Sequence, residues 1–168
     1  MEKYVIEIDW EGSLNIEEVI RSKNSAGSEP AWLGSDYGVY QIYGHHILCR
    51  DDTLLYIGQA AKETFSERFR AHKVDLLKDE DLDKIKIYLG RLENSPEYVS
   101  RDKWRIWYRD VDIAESILIY KYTPHYNSAR LNQYPNLHQY TEIKLVHKGG
   151  RGRLEPEDIA PSDYLKGE

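Results

Sequence analysis

Apolar residues alternate with polar ones from Tyr4 to Asp9, the period of a strand with one face buried. Asn15 follows as a helix cap, with Glu18 three residues on to complete a capping box, so a short helix is expected to about Arg21. Residues 22–35, rich in Ser, Gly, Asn and Pro, read as a loop. Residues 37–43 and 53–57 are rich in β-formers and flank a polar stretch, 45–52, which predicts a two-stranded antiparallel hairpin with a loop of its own. Beyond it Phe65, Phe69, His72, Leu76 and Leu77 recur at helical spacing, and Thr64 with Glu67 makes a second capping box. Ile85, Ile87 and Leu89 alternate with Lys86 and Tyr88, the pattern of a third, half-exposed strand.

The second half of the chain is less uniform. Asn94-Ser95-Pro96 breaks the third strand, and Pro96 suits the first position of a new helix. Residues 98–108 fit a helical face through Trp104, Trp107 and Tyr108, or a strand through Trp104, Ile106 and Tyr108; the helix is favoured. Asp112 is expected to cap a separate helix carrying Ile113, Ile117 and Tyr120, which Pro124 obliges to end soon after Tyr122. Residues 140–147 read as a strand, 148–153 as a Gly-rich basic loop and 154–168 as an acidic, proline-containing tail, partly disordered. The expected fold class is therefore α+β: a small central antiparallel sheet of three core strands plus terminal strands, flanked by helices. No internal repeat is visible.

Composition changes this picture little. A chain of 168 residues suits one domain with decorations. Its apolar fraction is only 40%, but 14 tyrosines and 4 tryptophans supply large side chains that pack while their polar tips find partners. The one cysteine, Cys49, excludes an intramolecular disulfide and a cysteine-based zinc cage. No apolar run approaches the roughly 20 residues of a membrane span, and the charged start resembles no secretion signal, so a cytoplasmic protein without membrane association is expected.

Charge is more informative in its distribution than in its sum. The net −6 argues against a chain that coats nucleic acid nonspecifically. Basic residues cluster locally: Lys62, Arg68, Arg70, Lys73 and Lys78; then Arg101, Lys103, Arg105 and Arg109; then Lys144, Lys148, Arg151 and Arg153. An enzyme that needs anion contacts on one face has this pattern, and so do ordinary solvated surfaces.

Four runs carry a resemblance. Gly38-Val39-Tyr40-Gln41-Ile42-Tyr43, Leu55-Tyr56-Ile57-Gly58-Gln59-Ala60, Glu67-Arg68-Phe69-Arg70-Ala71-His72 and the stretch from Glu115 through Pro124 to Asn127 together resemble the GIY-YIG nuclease family over roughly residues 37–128. Single triplets of this kind occur often by chance; the set in order, each on the expected element, is specific. The resemblance implies a stand-alone GIY-YIG endonuclease domain (37–128), with an N-terminal extension over 1–36 and a C-terminal extension over 129–168. It implies hydrolysis of phosphodiesters with Mg2+ or Mn2+, and double-stranded or branched DNA as the partner.

Each residue also has a reading of its own. Glu115 is a hard oxygen ligand, and the resemblance makes it the protein's one carboxylate on the metal; by spacing alone it is equally a first-turn Glu or the partner of Asp112 in a helix start. Arg68 and His72, four apart, share a helix face. A guanidinium suits a phosphate better than an ammonium, and His72 suits a proton acceptor or a group orienting a tyrosine; a solvated arginine and a half-buried histidine are the plainer reading. Tyr40 and Tyr56 are expected on neighbouring strands, and either becomes a general base only beside a cation such as Arg68, Lys62 or the metal; the plainer reading is a core residue. Asn127 is expected to tie the loop after the helix to the strands at the edge of the site.

The chain departs from the family pattern at two places, the second of which is the first candidate for substrate choice. The interval from Tyr56 to Arg68 is 12 residues (68 − 56), longer than expected, which makes Lys62 an uncertain counterpart of a family lysine. Residues 93–109 form an insertion in which Arg101, Lys103 and Arg105 interleave with Trp104, Trp107 and Tyr108, suited either to stacking on bases or to burying aromatics. Lys62, Arg70, Arg101, Lys103, Arg105, Lys148, Arg151 and Arg153 are the candidate nucleic-acid contacts. With no separate DNA-binding domain, specificity is expected from the insertion, the terminal segments, a homodimer or a protein partner. An RNA nuclease, a catalytically silent nucleic-acid-binding or adaptor domain of the same fold, and a tyrosine-rich protein-interaction module are the alternatives.

Overall fold

A computed structural model of the chain describes residues 2–21, 36–92, 101–131 and 140–161. The elements run β1 (Glu2–Leu14), α1 (Ile16–Arg21), β2 (Gly38–His46), β3 (Arg50–Ala60), α2 (Phe65–Val74), β4 (Lys86–Leu92), α3 (Arg101–Tyr122), β5 (Tyr140–Gly149) and β6 (Glu157–Pro161). The fold is mixed, with helices and one six-stranded sheet in the order β3-β2-β4-β1-β5-β6. The loop expected over 22–35, the helix start expected at Pro96 and the end of the expected tail, 162–168, lie outside the described residues. Among the described residues no helix is long and apolar enough to cross a membrane.

The local signals produced the elements they specify. Asn15 and Glu18 exchange capping hydrogen bonds, Glu18 N–H to Asn15 Oδ1 at 2.9 Å and Asn15 N–H to Glu18 Oε2 at 2.7 Å. Thr64 and Glu67 do the same ahead of α2. The hairpin forms, with strands longer than expected, so that only residues 47–49 turn. Ile85, Ile87 and Leu89 are all buried, but Tyr88 on the other face is half-buried, so β4 is covered more fully than the alternation suggests.

Alternation divides the core into two. Tyr40, Ile42, Leu55, Ile87 and Leu89 face Phe65 and Phe69 of α2 and Ile16 and Val19 of α1. Ile6, Ile8, Trp10, Val39 and Ile57 face the other way, onto Trp107, Val111, Ala114 and Leu118 of α3. At about 1.5–3 kcal/mol for each large apolar side chain removed from water, both halves contribute substantially. Burial of this kind holds α1 and α2 on one face of the sheet and α3 on the other.

Three expectations are corrected. The sheet is not purely antiparallel: β1 pairs antiparallel with β4 but parallel with β5, from Glu2 opposite Tyr140 to Trp10 opposite Gly149. Alternation specifies which face is buried and is silent about strand direction. Second, no break precedes Asp112. α3 is a single helix of 22 residues, because no Gly or Pro interrupts it and Trp107, Val111, Ala114 and Leu118 form one continuous buried stripe. Third, Glu115 therefore lies well inside a helix and not in a first turn, so the helix dipole gives no reason for its presence.

The basic Gly-rich loop after β5 is packed against the sheet. Gln41 Nε2–H donates to the carbonyl of Arg151 at 3.3 Å, and the Arg153 N–H donates to Tyr43 Oη at 3.2 Å. Gly152 has a φ of 66°, and a Cβ there would meet Gln41 and Tyr43 at 3.2 Å. Residues 157–161 of the expected tail form β6, antiparallel to β5.

Candidate active site

Strands β2 and β3 set two tyrosine rings side by side at the edge of the sheet. Tyr40 is fully buried, edge-on to Phe69 with ring centroids 4.9 Å apart, and stacked on Tyr56 at 6.1 Å. The register between the strands slips by one, Ile42 opposite Tyr56 but Tyr43 opposite Leu54, which is a bulge at Leu55. The bulge lets Leu55 and Tyr56 both turn toward α2. Gly58 is required by the same approach: a Cβ there would lie 2.4 Å from the Tyr40 hydroxyl and 2.7 Å from the Tyr56 ring.

From α2, Arg68 and His72 reach the same hydroxyl, one turn apart as their spacing predicts. Arg68 Nε–H donates to Tyr40 Oη at 3.3 Å, and Tyr40 Oη lies 2.5 Å from His72 Nε2. An arginine only donates, so the Tyr40 oxygen accepts from Arg68, and with His72 in the tautomer protonated at Nδ1 the phenol hydrogen is donated to His72 Nε2. Burial, and then the charge of Arg68, lowers the His72 pKa to about 4, so the ring is neutral at neutral pH and its Nε2 lone pair is free to accept. Burial chiefly, and then Tyr56, raises the Tyr40 phenol well above its ordinary value, against the pull of Arg68. Tyr56 is raised in the same way by burial and by the charge of Glu115. The outer end of Arg68 pairs with Glu63, Nη1 to Oε1 at 3.1 Å, where both side chains are partly exposed.

Glu115 arrives from the opposite face of the sheet. It is 7% exposed, takes a hydrogen bond from Gln59 Nε2 at 3.0 Å, and pairs with Arg130 Nη1 at 3.2 Å. Arg130 also holds Asp112, Nη2 to Oδ1 at 2.6 Å, and donates to the Asp112 carbonyl and the Ser116 hydroxyl. Burial raises the Glu115 carboxyl above its usual range, Asp112 adds to this, and Arg130 opposes it. Two carboxylates thus share one guanidinium, leaving a net negative site. Beside them the buried Gln59 Oε1 has no hydrogen-bond partner. Hard oxygens, a net negative charge and an unsatisfied amide oxygen are a donor set that fits Mg2+ or Mn2+.

Asn127 closes the arrangement. Its side chain accepts from Ile57 N–H at 3.0 Å and donates to Ile57 O at 2.8 Å, which ties the turn after α3 to the strand residue next to Tyr56. All six expected residues, Tyr40, Tyr56, Arg68, His72, Glu115 and Asn127, therefore gather around the β3 edge. Gln59, Glu63, Asp112 and Arg130 join them without having been anticipated as site residues. Gln59 and Glu63 lie inside or next to the runs that carry the resemblance. Arg130 has no comparable signal, because only the turn after α3, where it adopts a φ of 65°, brings it back over Asp112 and Glu115.

The expected phosphate contacts divide. Lys62 is exposed and lies over the Tyr108 ring at 5.9 Å, Tyr108 stacks on Trp104, and Arg105 is exposed on the same helix. Trp107 is core, so the insertion both buries and presents aromatics. Only the backbone course of Arg101 and Lys103 in α3 is described. Arg70 points away, donating to the Ile20 carbonyl at 3.3 Å. The Arg153 guanidinium lies 3.9 Å from Asp52, Arg151 Nε–H donates to the Leu154 carbonyl at 3.0 Å and Lys148 pairs with Glu7, so the side chains of the third basic cluster are engaged elsewhere. No protein-family model, curated protein or solved structure matches the chain.

Proposed function

We propose that the chain is a divalent-metal-dependent endonuclease that hydrolyses phosphodiester bonds in DNA, with a GIY-YIG-type site. The observation that carries this reading is the hydrogen-bonded series from His72 through Tyr40 to Arg68, facing a buried carboxylate across the β3 edge. That series combines a neutral proton acceptor, a phenol and a fixed cation.

The properties of the groups suggest the order of events. Tyr40 holds its proton too tightly to exist as a phenolate at neutral pH, so it acts as a base only by passing that proton on. Once the Arg68–Glu63 pair opens, phosphate and water are admitted to the buried Tyr40. The water oxygen bonds to phosphorus as the bond from phosphorus to the leaving oxygen breaks, the water proton moves to Tyr40 Oη and the Tyr40 proton moves to His72 Nε2. The outer nitrogens of Arg68 exchange Glu63 for the phosphate, and Nε stays on Tyr40. Tyr56, half-buried and adjacent to Arg68, donates to a phosphate oxygen. Glu115, with Asp112 and Gln59 Oε1 beside it, would hold Mg2+ or Mn2+, which supplies positive charge against the phosphate and the leaving oxygen. Arg130 is a second guanidinium within reach of that charge. Lys62, Arg105 and the Trp104–Tyr108 stack form the adjoining surface on which the nucleic acid would lie.

One observation favours a second reading. The grip of Arg130 on Glu115 balances the carboxylate internally, as a catalytically silent binding domain of the same fold would require. Purified protein incubated with linear, circular and branched DNA and with RNA, in Mg2+ and in Mn2+, separates the two. Cleavage by the wild type that falls at least about 10²–10³-fold in Glu115→Ala and Arg68→Ala is the expected result. DNA binding without cleavage would favour the silent domain, and cleavage of RNA alone would correct the substrate.

A further inference from the structure

We propose that His46, Cys49 and His125 form a second metal site, for a borderline-soft cation of the Zn2+ type, separate from the carboxylate site. One ligand atom from each of the three side chains lies within 4.8 Å of the other two. Among the described residues these are the only His, Cys, Asp or Glu side chains grouped in this way. The inference does not rest on the nuclease reading.

Three separate pieces of chain are arranged to meet there. His46 ends β2, Cys49 closes the three-residue turn, and His125 follows Pro124 in the segment after α3. That segment is pinned along β3, with His125 N–H to Leu54 O at 3.4 Å and Tyr126 N–H to Leu55 O at 2.7 Å. The His46 and His125 rings stack at 4.2 Å, 21° from parallel. Long contacts from the Leu48 and Cys49 amides, at 3.4 and 3.3 Å, fold the turn back onto His46 Nδ1. The start of β3 just after the turn takes an unusual course, since Arg50 and Asp52 both adopt left-handed backbone at φ of 68° and 57° without being glycine. The turn itself carries Ile47 and Leu48, which are 87% and 83% exposed, so burial of these side chains does not hold it in place.

The donor set selects the metal. A thiolate with two imidazoles suits Zn2+ and not Mg2+, which takes oxygen ligands. In a tetrahedral site with bonds of about 2.0–2.3 Å, ligand atoms stand roughly 3.3–3.7 Å apart, so the cluster needs about 1 Å of closure by side-chain rotation. Exposed Cys49 and His125 have room for it, and water takes the fourth position. On binding, the Cys49 thiol releases its proton to solvent and the sulfur lone pair forms the bond, with no change of oxidation state. The ion would fasten the hairpin tip to the segment that, two residues beyond His125, carries Asn127 and its bonds to Ile57.

Cobalt titration of the full chain after chelation is the test. Expected, with excess Mg2+ present to occupy the carboxylate site, are one Co2+ per chain and a near-ultraviolet band from thiolate-to-cobalt charge transfer, both displaced by Zn2+. Cys49→Ser should lose the band and His125→Ala should bind at least about 100-fold more weakly, while Glu115→Gln keeps both signals. Zn2+ should also raise the unfolding temperature of the wild type and leave that of Cys49→Ser unchanged, with circular dichroism verifying that the variant is folded. No charge-transfer band in the wild type, or equal Zn2+ affinity in wild type and Cys49→Ser, overturns the proposal.

Discussion

His72 and His147 are both buried, and each is hydrogen-bonded to groups of the kind that serve acid–base chemistry, yet their surroundings differ in one respect. At His147 the network closes. Trp10 Nε1–H donates to Nδ1 at 2.9 Å, which fixes the tautomer, and Nε2–H faces Asp158 Oδ2 at 3.1 Å. Asp158 also accepts from Lys121 and from the Tyr122 hydroxyl. Burial alone would raise the Asp158 carboxyl, but His147 and Lys121 overcome it and hold the pKa below the usual value. At His72 the network stays open. It runs from the ring through Tyr40 to Arg68 and ends at Glu63, where the partners are partly exposed and exchangeable. Similar side chains make a staple where every polar atom of the histidine and the carboxylate has a partner, and a candidate site where one end faces solvent.

The largest expected effect lies on the open network. Arg68→Ala should reduce cleavage about 10³-fold and move the urea midpoint little, because the pair it loses is half solvated. Asp158→Ala should do the reverse. Removing the buried carboxylate leaves Lys121 and His147 without their partner, at a cost of about 3–5 kcal/mol in urea unfolding, while chain that remains folded cleaves at the wild-type rate. If Asp158→Ala abolished cleavage at full stability, the division between staple and site would fail.

Acidity tests His72 next. The unfolded chain takes up a proton at His72 near pH 6.5 and the folded chain only near pH 4, so the unfolded state binds more protons between those values. Stability conferred by the neutral ring is present above about pH 6.5 and lost as pH falls toward 4, by roughly 3 kcal/mol. The raised Glu115 carboxyl works in the opposite direction, since its folded form binds a proton more readily. The measurement is therefore the difference in urea stability between wild type and His72→Phe, which should shrink across that window. A difference independent of pH would show that His72 is not held neutral. The smallest effect is Trp10→Phe, which removes one buried donor from His147 and should cost about 1–2 kcal/mol without changing cleavage.

Sequence carried the parts of the fold that are locally encoded. Thr64 and Glu67 announce α2, the β-formers around Tyr40 and Tyr56 announce the hairpin, and the four-residue step from Arg68 to His72 is enough to put both on one hydroxyl. Contacts made by returning chain were illegible. Arg130 has no pattern that predicts its place over Glu115, and the parallel pairing of β1 with β5 depends on direction, which alternation does not encode. Asp112 misled because its type suits a helix cap, while in the folded chain its carboxylate answers Arg130. Cys49 illustrates the same limit: a single cysteine excludes a cysteine cage, but a mixed set with His46 and His125 becomes visible only when the hairpin tip meets the segment after α3.

The parallel pairing of β1 and β5 also has a kinetic side. Trp10 pairs with Gly149, 139 residues later (149 − 10), whereas the β2–β3 hairpin pairs positions only 4 to 22 residues apart (50 − 46 and 60 − 38). Pairings that distant require closing a long loop and are slow to form. On a ribosome β1 would emerge early and wait with one backbone edge unmatched until β5 followed, and an unmatched edge invites pairing with other chains. The hairpin and α2, which carry Tyr40, Tyr56, Arg68 and His72, can form in the interval. Expression that slows the synthesis of residues 140–149 should therefore yield more aggregate, although the residues of the candidate site are already made.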